Sequence, residues 1–433
     1  MVKEQGMTDI DAKQEWFVRA RYGMFIHYGI YSQAGRGEWL INRERFNHEQ
    51  VQALAESFAP DRFDAEAICD LAVAGGMRYV NLTTMHHDGF RLYDTELSDF
   101  NAMHYAKRDL VDEFVTAARK RGLKIELYHS LNDWTAQPDA VDALESEDAR
   151  KEFIEKVHAR VRELVTRFNP IDVLWYDGHW PFDGRKWRGK EMNEMVRSIQ
   201  PHILINGRNG VTGDFATPEQ HMTAPSPWRP WEACMTLNDH WGYHCGDNQW
   251  KSPLEVVKML AKAAAGKGNL LLNVGPRGDG SVPEQSVTII REVGKWLARC
   301  GECIFDTDKF TWGLRSREGH EADWSNNGPF TRKGRSLYQI IKAWPGEELV
   351  VAGLNTPVES VTLLGASGEQ PCDFEYADGK VVVSGLPAEP PDPVCPVMRF
   401  DCRDVPVMYL TAGMRVPSVE HAPYDPVRSD LQE

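Results

Sequence analysis

No stretch of this sequence is apolar for long enough to cross a membrane, and its start, "MVKEQGMTDIDAKQEWF", lacks the apolar core of a secretory leader. The expected location is therefore the cytoplasm, or the periplasm or exterior if a leader has been removed. Basic residues form no stripe and like charges no block; the formal charge of −15 is spread along the chain. That balance disfavours nucleic acid and anionic membrane as partners and favours a neutral or cationic ligand. No Gly-rich phosphate loop follows the first apolar run. The eight cysteines, at 69, 234, 245, 300, 303, 372, 395 and 402, fall at no framework spacing. Cys300-Gly301-Glu302-Cys303 is a lone C-x-x-C with no second pair at zinc-ribbon distance, so all eight read as reduced structural thiols.

What is present is a soluble-type composition. The chain has 433 residues, 42% hydrophobic and 26% charged, enough for a sizeable core in one large domain plus a small one, or for two to three ordinary domains. Fourteen tryptophans either fill that core or offer flat faces for a sugar or base to stack on.

Short apolar runs alternate with longer amphipathic stretches over the first three hundred or so residues. The runs lie at Gly23–His27, Arg78–Thr83, Leu123–Tyr128, Ile171–Asp177, His202–Asn206 and Asn269–Val274. Helical patterns lie between them at Asp64–Ala74, Leu110–Arg121, Ala149–Phe168, Pro253–Ala265 and Pro283–Ala298. Strands alternating with helices predict βαβ units and a parallel sheet, and the number of units suits a (β/α)8 TIM-like barrel better than a doubly wound sheet. From Ser336 to Leu410 the texture changes to short β-prone runs between Gly, Pro and Asp turns, which predicts a small C-terminal antiparallel β-sandwich. The expected domains are a catalytic barrel over 1–325, the sandwich over 326–414 and a loose tail over 415–433.

In a parallel barrel the working residues gather where strands end. Here His27 follows "GMFI", His86 and His87 follow "YVNLTT", Tyr128 follows "KIEL" and Asp177 ends "DVLWY". Asp177, between Trp175 and Trp180, is either a partly desolvated carboxylate in an aromatic pocket or a helix cap. Work on a glycosidic bond needs a second carboxylate, and the residues alone leave Glu219 and Glu232 both open. A metal reading of His86-His87-Asp88 is the competitor. Adjacent residues on an extended strand point to opposite faces, so two neighbouring imidazoles there do not converge on one ion.

The motifs "YGMFIHYGIYS", "GEWL", "MHHDGF", "LYHSLNDW", "LWYDGHW", "PWEAC", "HWGY" and "GNLLLNVGPRGDG" occur in this order between about Trp16 and Thr307. In these the chain resembles the α-L-fucosidases of glycoside hydrolase family 29. The resemblance implies a barrel followed by a β-sandwich and a retaining exo-glycosidase mechanism with neither metal nor cofactor. The implied substrate is a fucosylated oligosaccharide, and a homo-oligomer is compatible with it. It places Asp177 as nucleophile and Glu219 as acid/base, with Glu232 as the alternative. His27, Glu38, Trp39, His86, His87, Tyr128, Trp175, Arg208 and Trp241 match positions that line the fucose pocket, with Trp241 or Tyr243 against the C6 methyl. Met85, Leu40 and His240 depart from the family's usual Lys, Tyr and Ser, at positions expected on the pocket rim. A non-catalytic or altered-specificity sugar-binding relative is the alternative function.

Overall fold

The computed structural model describes residues 10–225, 227–308 and 327–408. Its apolar runs become strands β1 (Tyr22–Ile26), β2 (Tyr79–Met85), β3 (Lys124–Ser130), β4 (Val173–Asp177), β5 (Leu204–Ile205), β6 (Glu232–Thr236) and β7 (Asn269–Val274). They form one parallel sheet in the order β5-β4-β3-β2-β1-β7-β6. Five of the seven carry an unbroken buried stretch along their full length, as expected of strands covered on both faces.

The two ends of that order, β5 and β6, are joined by residues 214–220. Parallel bridges link Asn206 to Phe215, Ala216 to Trp231 and Glu219 to Cys234. Backbone N–H groups of Asp214 and Gln220 donate to Ile205 and Cys234 at 2.7 and 3.0 Å. This irregular segment takes the eighth place and completes a TIM-like barrel. Its tip carries Glu219.

The helices follow from their caps and apolar stripes. Helix Ala65–Ala74 opens with Asp64 accepting from the Ala67 N–H at 2.9 Å, and Leu110–Lys120 with Asp109 accepting from Asp112 at 2.9 Å. Ser146 caps Glu147–Arg167. Each satisfies one N–H that a helix start leaves without a partner.

The C-terminal strands are β8 (Phe330–Lys333), β9 (Ser336–Ile340), β10 (Glu348–Ala352), β11 (Val358–Gly365), β12 (Gly368–Pro371), β13 (Asp373–Ala377), β14 (Lys380–Ser384) and β15 (Val397–Cys402). They pair antiparallel in two sheets, β10-β14-β13 and β12-β11-β15-β9-β8. Alternate residues, such as Leu349 and Val351, Val361 and Leu363, Val381 and Val383, Met398 and Phe400, meet in one core between the sheets. This is the expected sandwich.

The chain divides into two compact units. One holds the residues up to His221, Arg229–Ser252 and Leu270–Gly294; the other holds Met222–Trp228, Pro253–Asn269 and the described residues from Lys295 on. The expected 325/326 boundary and the tail from 415 fall outside the described residues.

Candidate active site

Period-two alternation along each strand decides which side chains enter the barrel. On β4 it sends Val173, Trp175 and Asp177 to the inside. Val173 and Trp175 join Phe25, Tyr79, Tyr128, Phe215 and Cys234 in a buried cluster, and Asp177 stands one step above them at the mouth. A cavity of about 140 Å³ opens there. Its wall holds His27, Trp39, His86, His87, Tyr128, Trp175, Asp177, Arg208, Glu219 and Trp241, together with Phe25, Trp180 and Cys234.

Asp177 is held from three sides. Tyr128 donates its hydroxyl to Oδ2 at 2.9 Å, Arg208 Nη1 donates to Oδ1 at 3.1 Å, and His87 Nε2 lies 3.7 Å from Oδ2. Burial alone would raise its pKa, but Arg208, His87 and the Tyr128 hydroxyl outweigh that and leave it below the usual aspartate value. Asp177 is therefore an ionised carboxylate aimed into a small aromatic cavity. Arg208 Nη2 also reaches Glu219 Oε2 at 2.8 Å, and its Nε donates to the Thr217 hydroxyl at 3.0 Å. One guanidinium, stacked over the Trp175 ring at 4.6 Å, thus spans both carboxylates.

Burial sets the state of two of the histidines. His27 Nδ1 lies 2.6 Å from Asn273 Oδ1, and the Asn273 amide N–H donates to the Trp241 carbonyl at 2.7 Å. The amide so oriented makes Nδ1 the protonated nitrogen and leaves Nε2 as an acceptor. Burial pushes the His27 pKa down to about 3, and burial with the neighbouring imidazoles pushes that of His86 well down too. Both are neutral hydrogen-bonding groups near pH 7. The rings of His86 and His87 approach to 4.1 Å, and both line the cavity. The opposite-faces expectation does not hold for them, because β2 ends at Met85 and the pair sits in the turn beyond it. Asp88 does not join them: its Oδ1 accepts from the Phe90 N–H at 2.9 Å, and Gly89 turns the chain with φ +79. Among the described residues no group of three His, Cys, Asp or Glu could hold a metal ion.

Glu38, expected in the pocket, stands behind the wall. It is 7% exposed and accepts from the Gly242 N–H at 2.8 Å, bracing the loop that carries Trp241. Trp241 reaches the cavity and packs on His27 at 5.1 Å between ring centres, whereas Tyr243 is not part of the wall. Glu232 is fully buried inside the barrel, with Oε1 accepting from the Trp175 indole N–H at 3.1 Å.

The rim expectation for Met85 and Leu40 is corrected: they are 0% and 2% exposed, packed in the core and absent from the cavity wall. The cause at Met85 is a register shift in β2 between Thr83 and Met85, which turns its side chain away from the mouth. His240 is partly exposed and bonded to Asp247 at 2.7 Å. Trp180 joins the wall and stacks on Trp39 at 5.8 Å and 17°; the aromatic flank of "LWYDGHW" was its signal. Phe25 and Cys234 gave none, being ordinary core residues by type.

A family model described as Alpha-L-fucosidase matches residues 3–302. The chain belongs to the α-L-fucosidase family. Its structure is similar to alpha-L-fucosidase isoenzyme 1 from Paenibacillus thiaminolyticus, with a TM-score of 0.82 and 32% identity over 92% of this chain and 100% of that one. A family 29 enzyme from Bacteroides thetaiotaomicron, solved as a trapped covalent intermediate with 2-fluoro-fucosyl fluoride, matches with a TM-score of 0.78 and 27% identity, covering 92% and 98%. The human tissue α-L-fucosidase is 27% identical over 413 residues, 88% of this chain and 86% of that protein.

Proposed function

We propose that this α-L-fucosidase family member is a retaining exo-glycosidase that releases terminal α-L-fucose from oligosaccharides or glycoconjugates. The observation that carries the reading is the reach of Arg208 to Asp177 and Glu219 at 3.1 and 2.8 Å. Two carboxylates served by one guanidinium suit the short separation of retaining enzymes, about 5–5.5 Å, better than the wider gap of inverting ones. The cavity is small, at about 140 Å³, which suits one terminal sugar. Neutral imidazoles offer hydrogen bonds to its hydroxyls, and Trp241 and Phe25 offer an apolar wall to its methyl.

Asp177, ionised and oriented by Tyr128, attacks the anomeric carbon and forms the fucosyl-enzyme. Glu219, on the barrel's irregular eighth element, gives its proton to the leaving oxygen and then takes one from water. Glu232, buried below Trp175, lacks access to a glycosidic oxygen.

Incubation with 4-nitrophenyl α-L-fucoside and a panel of fucosylated oligosaccharides tests the reading, with the anomer of the first-formed fucose followed by NMR. Release with retained configuration is expected. Sugar binding without any release would favour the non-catalytic alternative.

A further inference from the structure

Beneath the cavity lie two acids that the reaction above does not use. Glu126 on β3 and Glu232 on β6 are both 0% exposed, and each acts on the other across the barrel interior. Glu126 Oε2 accepts from Asn81 Nδ2 at 3.1 Å and Glu232 Oε1 from the Trp175 indole at 3.1 Å. Their other oxygens, Glu126 Oε1 and Glu232 Oε2, are buried with no hydrogen bond formed, and the buried Tyr79 hydroxyl, itself without a formed hydrogen bond, acts on Glu232 from the same interior. Two ionised carboxylates facing each other in a dry core would each leave an acceptor unsatisfied and repel. Two neutral acids would carry two protons into one gap. A single proton between the facing oxygens makes one the donor and the other the acceptor.

We infer that Glu126 and Glu232 form an acid–carboxylate pair sharing one proton, and that Glu232, through the oxygen that holds the Trp175 indole, is a positioning residue for the nucleophile. The path is short. Glu232 fixes the Trp175 indole by its N–H, and the Trp175 ring carries the guanidinium of Arg208, which grips Asp177. Burial raises the pKa of both glutamates, in keeping with a retained proton. The positioning role rests on the fucosidase reading; the shared proton does not.

The test uses the full chain with Glu126→Gln, Glu232→Gln and Glu232→Leu. Infrared difference spectra at neutral pH, wild type minus each Gln variant, should show one buried carboxylic-acid band that either substitution removes. No such band, or a band surviving in both variants, overturns the shared proton. On an aryl α-L-fucoside, Glu232→Gln keeps a carbonyl for Trp175 and should hold kcat within about threefold. Glu232→Leu should lose about a hundredfold in kcat, with KM little changed, as a misplaced nucleophile would. Full kcat in Glu232→Leu overturns the positioning role. So does a Glu232→Gln loss as deep as that of Glu232→Leu and restored by azide, which would make Glu232 the acid/base. If Glu232→Leu fails to fold by circular dichroism, Trp175→Phe cuts the same link from the other side and should show the same kcat loss; full kcat there overturns the role equally. A wild type that releases no fucose defeats the fucosidase reading and the positioning role with it, while the infrared result still decides the shared proton.

Discussion

The proposed chemistry rests on a few side chains, and the charge state of its nucleophile is set by its neighbours. Asp177 has a pKa below the exposed value of about 3.9, because Arg208, His87 and Tyr128 outweigh its burial. Its ionisation therefore stabilises the folded state above the unfolded pKa, and that contribution is lost as pH falls through the folded one. Removing the cation should raise the value. In Arg208→Leu the acid limb of kcat/KM should move to higher pH by about 1–3 units; a pH–rate profile with an unmoved limb would show that Arg208 does not set it. Glu219→Ala should lose about 10²–10⁴-fold in kcat/KM on a poor leaving group and clearly less on 4-nitrophenyl fucoside, whose departure needs little acid help. Equal losses on both would remove Glu219 as the acid. The histidines, Tyr128 and Asp177 were legible as polar residues closing apolar runs. The choice between Glu219 and Glu232 was not, because each follows a short unremarkable segment, and only folding puts one in the cavity wall and the other below Trp175.

Among the elements, those with long apolar patterns were legible within one or two residues, and those without were not. Helix Ala65–Ala74 and strand β4 declare themselves. By contrast β6 begins with a glutamate and is five residues long, and residues 214–220 complete the barrel through scattered bridges alone. Tertiary hydrogen bonding, not propensity, makes them strand-like. The helix pair around Gly294 shows how tightly the outer layer is fitted. A Cβ at Gly294 would stand 1.9 Å from the Ala74 carbonyl oxygen, which is backbone and cannot turn aside. Gly294→Ala should cost about 1–3 kcal/mol despite its better helix propensity, read as a lowered Tm. A Tm equal to or above wild type would mean that the helices do not meet so closely.

For the molecule as a whole, the sequence announced a barrel followed by a sandwich through its change of texture, and the sheets bear that out. It could not announce the rim: a register shift and core packing remove Met85 and Leu40, both expected there, from the mouth. All eight cysteines are unpaired, six of them buried, so Tm should be the same with and without a thiol reductant. A reductant-dependent Tm would reveal a bridge that the fold does not contain. The proposed catalysis by two carboxylates also predicts unchanged kcat/KM after exhaustive chelation, with elemental analysis as the control; a loss reversed by one metal would contradict it. The most direct test of the central claim is to treat the full chain with 2-fluoro-fucosyl fluoride and map the product by mass spectrometry. One 2-fluorofucosyl group on the peptide containing Asp177, absent from Asp177→Ala, is the predicted result. A label on Glu219 or Glu232, or no label while fucosides are hydrolysed with inversion, would contradict it.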